Sequence, residues 1–386
     1  MNVPKLRFSE FSENYKKIKL KNMTKLITKG TTPRKYTDSG VNFIKVENLL
    51  DNQIKNINSY ISYETHNNEL KRSILKEYDI LFSIAGALGR TAIVTKEELP
   101  ANTNQACSII RLDNLNDYNL YYLMERLHHF DIKSYINKCQ SVGAQPNLSL
   151  EQVGNICINI PNKKEQDRVG RLIELVNKKI ELQTKKIDAL KLFKSYTKSE
   201  IFKNGNHVCK LGVILNKWNK KNKDGAINYV ESISNKAGFI PQSEQFEDRN
   251  VASKNLRNYY VIKKGVFGYN PSRLNVGSLA LKENDFISVV SPLYECFTTT
   301  QNNTYLFEWF NSNNFKKETF SKFEGGVRNT LNFNNLCDIP INLPDIETQN
   351  QYAKYFNKIN FKISLEEQKL SELVKFKKGL LQDMFI

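Results

Sequence analysis

The sequence predicts an α+β chain: two β-rich domains separated by two long helices that pair as an antiparallel coiled coil, with an internal pseudo-twofold repeat. Three observations predict it. The stretch INIPNKKEQ (Ile158–Gln166) is written again as INLPDIETQ (Ile341–Gln349), at an offset of 341 − 158 = 183 residues. Behind each copy runs an apolar stripe at heptad spacing. In front of each lies a run of short β-branched segments punctuated by Gly, Pro and Asn.

The first domain is assigned to residues 1–160. VNFIKVENL (Val41–Leu49), YDILFSIAG (Tyr78–Gly86), TAIVTK (Thr91–Lys96) and QACSIIRL (Gln105–Leu112) read as strands. A helical stretch follows at Asn119–Ile136, then a loop around Gly143. The central helix is assigned to residues 161–204. Asn162 follows Pro161 as a cap, and Glu165 three residues on resembles a capping box. Gly205 reads as its C-terminal punctuation. The second domain, 205–343, repeats the order. Its strands are YVIKKGVFGYN (Tyr260–Asn270), GSLALKE (Gly277–Glu283) and PLYECFTTT (Pro292–Thr300). A helical stretch (Tyr305–Phe315) and a Gly325-Gly326 loop follow. The last helix is assigned to 344–386, with Asp345 as cap and Thr348 in place of the box Glu.

Steps of three and four give the seam. In the first helix it carries Ile173, Val176, Ile180, Ile187 and Leu190; in the second, Phe356, Ile359, Ile363, Leu370 and Leu373. Both copies break it at equivalent places, Gln183/Glu366 and Lys194/Lys377. Both put an apolar residue one position earlier, Leu182/Leu365 and Phe193/Phe376. A helix of about 37 residues, roughly 55 Å long, needs a partner for so narrow a stripe, and matched defects point to the other copy.

At 386 residues the chain suits two or three domains, and 40% hydrophobic residues supply their cores. Its six cysteines, at 107, 139, 157, 209, 296 and 337, form no C-x-x-C pair. Scattered thiols without signal-peptide text predict a reducing cytoplasm. ILFSIAGAL, from Ile80, is too short to span a membrane. The net charge of +17 and pI near 9.4 favour a polyanion, nucleic acid first. An AT-rich genome, enriching Lys, Asn and Ile, would also raise the charge.

Catalytic text is missing. The nearest approach to an adenine methyltransferase turn is NPSR (Asn270–Arg273), without the second proline or the aromatic. No glycine-rich cofactor loop, P-loop or H-E-x-x-H is present, and the histidines at 66, 128, 129 and 207 lack ligand-like partners. Pro344-Asp345 with Glu367-Gln368-Lys369 matches the loose nuclease pattern PD…ExK. Here, however, Asp345 sits at a helix cap and Glu367 within the heptads, and the first copy has Asn162, Thr184 and Lys186 instead. No catalytic residue, metal site or cofactor is therefore expected.

Over essentially its whole length the chain resembles the specificity (S) subunits of type I restriction–modification enzymes. KGTTPRKYTDSGVNFIKVENL (Lys29–Leu49) is similar to the family's G-x-T-P segment, and DILFSIAGALGRTAIV (Asp79–Val94) and TNQACSIIRL (Thr103–Leu112) to its later strands. GVFGYNPSRLNVGSLAL (Gly265–Leu281) and VVSPLYECF (Val289–Phe297) are similar to another common variety of target recognition domain. The P-x-x-x-E-Q opening each helix appears as Pro161…Glu165-Gln166, with Thr348 departing from it in the second copy. The resemblance implies a non-catalytic subunit in which each recognition domain reads one half of a bipartite site in double-stranded DNA. It also implies partners: two methyltransferase (M) subunits, and restriction (R) subunits through the complex. Side chains suited to base edges or phosphates are candidate DNA contacts. In the first domain these are Thr31, Arg34, Lys35, Tyr36, Lys45, Asn48, Arg90, Asn104 and Gln105. In the second they are Tyr269, Asn270, Arg273, Asn275, Ser291 and Tyr294. Each also has an ordinary reading as a turn residue. A one-chain nuclease or methyltransferase, and a scaffold holding two protein-binding domains, are the alternatives.

Overall fold

The computed structural model describes residues 3–139, 147–203, 205–235, 237–245, 255–274, 277–320 and 330–385. The chain divides into two compact units: Met1–Gln183 with Lys369–Ile386, and Thr184–Gln368. The division falls inside both long helices, Lys163–Ile201 and Ile346–Met384, each of 39 residues.

In the first unit an antiparallel sheet runs in the order Thr24–Lys29, Cys107–Leu112, Ile80–Ser83, Thr91–Ile93. The continuous apolar text of Ile80–Ser83 matches a strand buried at every position. The expected strand at 41–49 stops at Ile44, because Asn48 closes a single turn by accepting the Lys45 N–H at 2.8 Å. Strand Val41–Ile44 instead pairs in parallel with Ala101–Thr103. The helical stretch expected at 119–136 is two helices, Leu120–Leu127 and Phe130–Cys139. Arg126, fully buried, holds the break through two 2.7 Å bonds to Asp131, and His129 Nδ1 lies 2.7 Å from the same carboxylate. Gly143 lies outside the described residues.

The second unit repeats this order with Leu215–Lys217, Glu295–Thr299, Phe267–Tyr269 and Leu279–Leu281. The strand expected at 260–270 is split at Gly265, whose φ of 86° suits glycine. Helix Asn303–Phe310 stands 183 residues after Leu120–Leu127, helix Phe333–Cys337 after Leu150–Gly154, and strand Pro340–Leu343 after Cys157–Ile160. Gly325-Gly326 lies outside the described residues.

The helix openings use the repeated glutamine. Gln166 accepts the Asn119 N–H at 3.0 Å and donates to the Pro161 carbonyl at 3.0 Å; Gln349 does the same with Asn302 at 3.2 Å and Pro344 at 2.9 Å. Asn119 and Asn302 cap the short helices at Tyr122 and Tyr305, each at 3.0 Å. Each phrase thus locks its long helix to the helix ahead of it. The capping box expected at Asn162 is half made. Asn162 accepts the Glu165 N–H at 3.0 Å, but the Glu165 carboxylate is taken by Arg7, at 2.8 and 2.7 Å, and by the Tyr15 hydroxyl, at 2.9 Å. Asp345 caps through the Thr348 N–H at 2.8 Å, and Glu367 pairs with Lys191 at 2.6 Å. The PD…ExK text is a cap and a surface ion pair. Gly205 does not stop the helix, which ends at Ile201. A Cβ there would sit 2.4 Å from Asn342 Oδ1, so the glycine serves the approach of strand His207–Lys210 to Pro340–Leu343.

Both long helices enter each core. In the first unit Val169 and Ile173 share one apolar cluster with Met384 and Phe385, and the Phe385 ring meets Tyr122 edge-on at 5.2 Å. In the second, Ile201 and Phe202 share one with Phe356, and Phe202 meets Tyr305 edge-on at 5.3 Å. Every seam residue named above is buried or half-buried, the polar ones included. The apolar residues one position earlier stay outside: Leu182 is 58% exposed, Leu365 40%, Phe193 55% and Phe376 56%. Helical geometry, not residue type, decides which position faces inward.

Ile187→Asp, at a 4% exposed site, is expected to cost about 3 kcal/mol or more, while Leu182→Asp stays within about 0.5 kcal/mol; urea midpoints measure both. Burial alone would raise the Asp131 carboxyl, but hydrogen bonds from Arg126 and His129 outweigh it and hold it below the usual carboxylate range. A depressed folded-state pKa stabilises above the unfolded value of about 3.9, and that stability is lost as pH falls through the folded value. Asp131→Asn is therefore expected to lower stability at neutral pH and to flatten the acid side of a stability–pH curve.

Candidate nucleic-acid interface

The first unit's candidate face is set by how strand Thr24–Lys29 leaves the sheet. At Gly30 a Cβ would lie 1.9 Å from the Thr103 carbonyl oxygen, so only glycine fits there. The Thr31 N–H donates to that same oxygen at 3.1 Å. The loop is thereby laid across the end of strand Ala101–Thr103, and Thr31, Arg34, Lys35 and Tyr36 are turned outward. The Tyr36 ring stands edge-on against Phe43 at 5.5 Å, with Lys45 Nζ 5.1 Å from its centroid. Burial and the Glu47 carboxylate push the Tyr36 hydroxyl up, so it stays a neutral donor and acceptor.

One further loop meets this one, and another meets the segment that carries Lys45. Gln105 is exposed and its carbonyl oxygen accepts from the Thr32 hydroxyl. Gly86 and Gly89, at φ 73° and 78°, make the turn that ends at Arg90, whose N–H is held by Ser83 Oγ at 2.7 Å. Arg90 is exposed, and its guanidinium reaches the Val46 carbonyl at 3.5 Å. The structure thus joins the segments carrying Thr31, Arg34, Lys35, Tyr36, Lys45, Arg90 and Gln105 on one basic, hydroxyl-rich face. Such a face suits phosphates and base edges. Two candidates are placed otherwise. Asn48 is 2% exposed, and its amide is consumed by Lys45, Lys55 and Asn56. Asn104 is half-buried and accepts the Ala106 N–H at 3.2 Å, as a turn residue does. Two side chains on the face escaped the sequence reading: Thr32, which orients Gln105, and Arg72, whose guanidinium lies 3.5 Å from Thr31 Oγ1. Arg72 comes from a one-turn helix, Lys71–Ser73, and no local pattern marks it.

In the second unit fewer candidates are free to read. Tyr269 is wholly buried against Phe297, and burial pushes its hydroxyl far up; it is core. The half-buried Tyr294 takes the Ile233 N–H on its hydroxyl at 3.4 Å. Asn270 and Ser291 serve turns, accepting from the N–H groups of Ser272 at 3.0 Å and Leu293 at 3.3 Å. Arg273 is exposed at the tip of the first of these turns. Asn275 lies outside the described residues. Among the described residues no group of His, Cys, Asp and Glu could hold a metal, and no helix is long and apolar enough to cross a membrane.

Comparison with known proteins adds the family. Residues 12–192 match the model of the type I restriction modification DNA specificity domain. The MjaX type I restriction enzyme specificity subunit of Methanocaldococcus jannaschii, so named among curated proteins, is 28% identical over an alignment of 229 residues that covers 52% of this chain and 52% of that protein. The chain thus matches about half the length of this curated relative. Among solved structures, the S subunit of a type I restriction-modification system from M. genitalium superposes with a TM-score of 0.63 at 13% identity, covering 100% of this chain and 99% of that one. A chain from a structure of complex assembly and conformational transition in the type I R-M system gives 0.58 at 14% identity, covering 96% and 97%. At such identities the likeness is one of fold. Residues 12–192 thus match the type I restriction modification DNA specificity domain, the family that their motifs resemble.

Proposed function

We propose that the protein is the DNA sequence-specificity subunit of a type I restriction–modification complex, with each domain reading one half of a bipartite duplex site. The observation that carries this is the doubled unit. A four-stranded sheet of like order followed by a long helix occurs twice, with the bounds of helices Leu120–Leu127 and Lys163–Ile201 recurring at 183 residues, and one copy presents a basic loop face. Two readers joined in one chain fit a target with two halves. In this account the long helices pair antiparallel as a coiled coil and set the spacer. Support comes from Lys186–Glu366 at 3.0 Å and Lys191–Glu367 at 2.6 Å, and from helix starts sharing cores with the far ends of their partners. A 39-residue helix is ~58 Å long, enough to span half-sites one DNA turn apart, roughly 34–36 Å.

The helices also dock two methyltransferase subunits, which carry the chemistry in the cytoplasm; restriction subunits join through them. The chain itself catalyses nothing. Purified alone with S-adenosylmethionine and duplex DNA it is expected to transfer no methyl group, and methyl transfer by the lone chain would refute this. Salt-sensitive binding to duplex DNA separates the account from a protein scaffold, which would show none.

Replacing residues 205–343 with the corresponding domain of another specificity subunit is expected to change one half of the methylated sequence. Methylome sequencing that found both halves altered would overturn independent reading. Arg273→Ala or Arg34→Ala is expected to cost about 1–3 kcal/mol and relax one position if the side chain pairs with a base. If it contacts phosphate, binding weakens evenly across sequences and the salt slope falls by about one unit.

A further inference from the structure

One matched polar break in the seam, Lys194/Lys377, has matched partners. Glu125, 2% exposed, lies on helix Leu120–Leu127, and Glu308, 3% exposed, on helix Asn303–Phe310. The Glu125 carboxylate accepts from Asn177 Nδ2 of the first long helix at 3.2 Å and from Lys377 Nζ of the second at 2.7 Å; Asn52 adds a third bond at 2.9 Å. Glu308 accepts from Asn360 Nδ2 of the second long helix at 3.0 Å and from Lys194 Nζ of the first at 2.6 Å; Lys198 adds a third at 2.9 Å. All three members recur at the same offset: 308 − 125, 360 − 177 and 377 − 194 each equal 183. Each domain therefore uses one buried carboxylate to hold the helix that follows it and, at the same time, the other helix.

An apolar seam alone tolerates sliding and rotation, whereas a buried polar contact is satisfied at one setting. A carboxylate taken out of water is costly unless both of its donors arrive, so each triad specifies a position for both helices against its domain. We propose that Glu125 and Glu308 are positioning residues that fix the seat of each recognition domain on the two long helices and thereby restrict the spacer length the protein accepts. This rests on the bipartite reading above.

The test is methylome sequencing of cells carrying the full chain with its methyltransferase subunits, comparing wild type with Glu125→Gln and Glu308→Gln. Glutamine keeps the shape and removes the charge that orders the lysine. Methylated sites are expected to keep both half-site sequences, while the share with a spacer one base pair longer or shorter rises about tenfold, the factor that ~1.4 kcal/mol of lost preference gives. Ile187→Val, a seam variant without a polar role, is expected to lower Tm and leave the spacer strict. A Gln variant with lowered Tm and an unchanged spacer would overturn the proposal, leaving the triads merely stabilising. Should a Gln variant fail to fold, Lys194→Gln and Lys377→Gln, at half-buried positions, carry the same test with the same two outcomes. A wild type that methylates no bipartite sequence would instead sink the reading on which the inference rests, and the inference with it.

Discussion

Each domain's core is closed by two helices that are far apart in the chain. In the first unit Tyr122, Leu123 and Leu127 pack with Val169 and Ile173 of the helix that follows, and also with Met384 and Phe385 from the end of the sequence. In the second, Tyr305, Leu306 and Trp309 pack with Ile201 and Phe202 at the end of one long helix and with Phe356 near the start of the other. Neither long helix has an apolar stripe wide enough to persist alone in water. Helix and domain therefore stabilise one another, and the glutamines at 166 and 349, each bonded to a cap residue of the short helix ahead, fix where that exchange begins.

From that dependence follows the placement of polar residues. Charges inside the seam would destabilise a simple zipper, yet Lys194, Lys377 and Glu366 face inward. The lysines meet buried glutamates, and Glu366 meets Lys186. Burial alone would raise Glu308, but the charge of Lys198 and the hydrogen bonds from Lys194 and Asn360 outweigh it and hold the carboxyl low. Each such lysine–glutamate pair is neutral, so the surplus behind the net charge of +17 lies largely elsewhere. In the first unit part of it is exposed on loops, at Arg34, Lys35 and Arg90.

Much of the scaffold was legible because long amphipathic helices repeat a pattern that one sequence can show. The bounds 163–201 and 346–384 fall within a few residues of the heptad text. Strand ends were less legible: Asn48 closing a turn and Gly265 splitting a strand look like neighbouring residues until their bonds and angles are known. The candidate face was least so. Tyr269 and Asn48 share residue types with good readers, but burial removes them, and burial depends on packing between distant segments. Arg72 reaches Thr31 across 41 positions, a juxtaposition no local spacing encodes. One signal was present and overlooked. Asn119, Tyr122, Leu123 and Glu125 recur as Asn302, Tyr305, Leu306 and Glu308 at the same offset of 183, ahead of the stretch first seen as repeated.

The central claim is that each domain is completed by both long helices, and hydrogen exchange of a chain ending at Gln368 tests it most directly. Without residues 369–386 the first unit loses Met384, Phe385 and Lys377, so amides of Leu120–Leu127 and Cys157–Ile160 are expected to lose protection. Those of Asn303–Phe310 and Pro340–Leu343, whose unit keeps both of its helix segments, are expected to retain it. Equal protection of the first unit in the full and shortened chains would contradict the account.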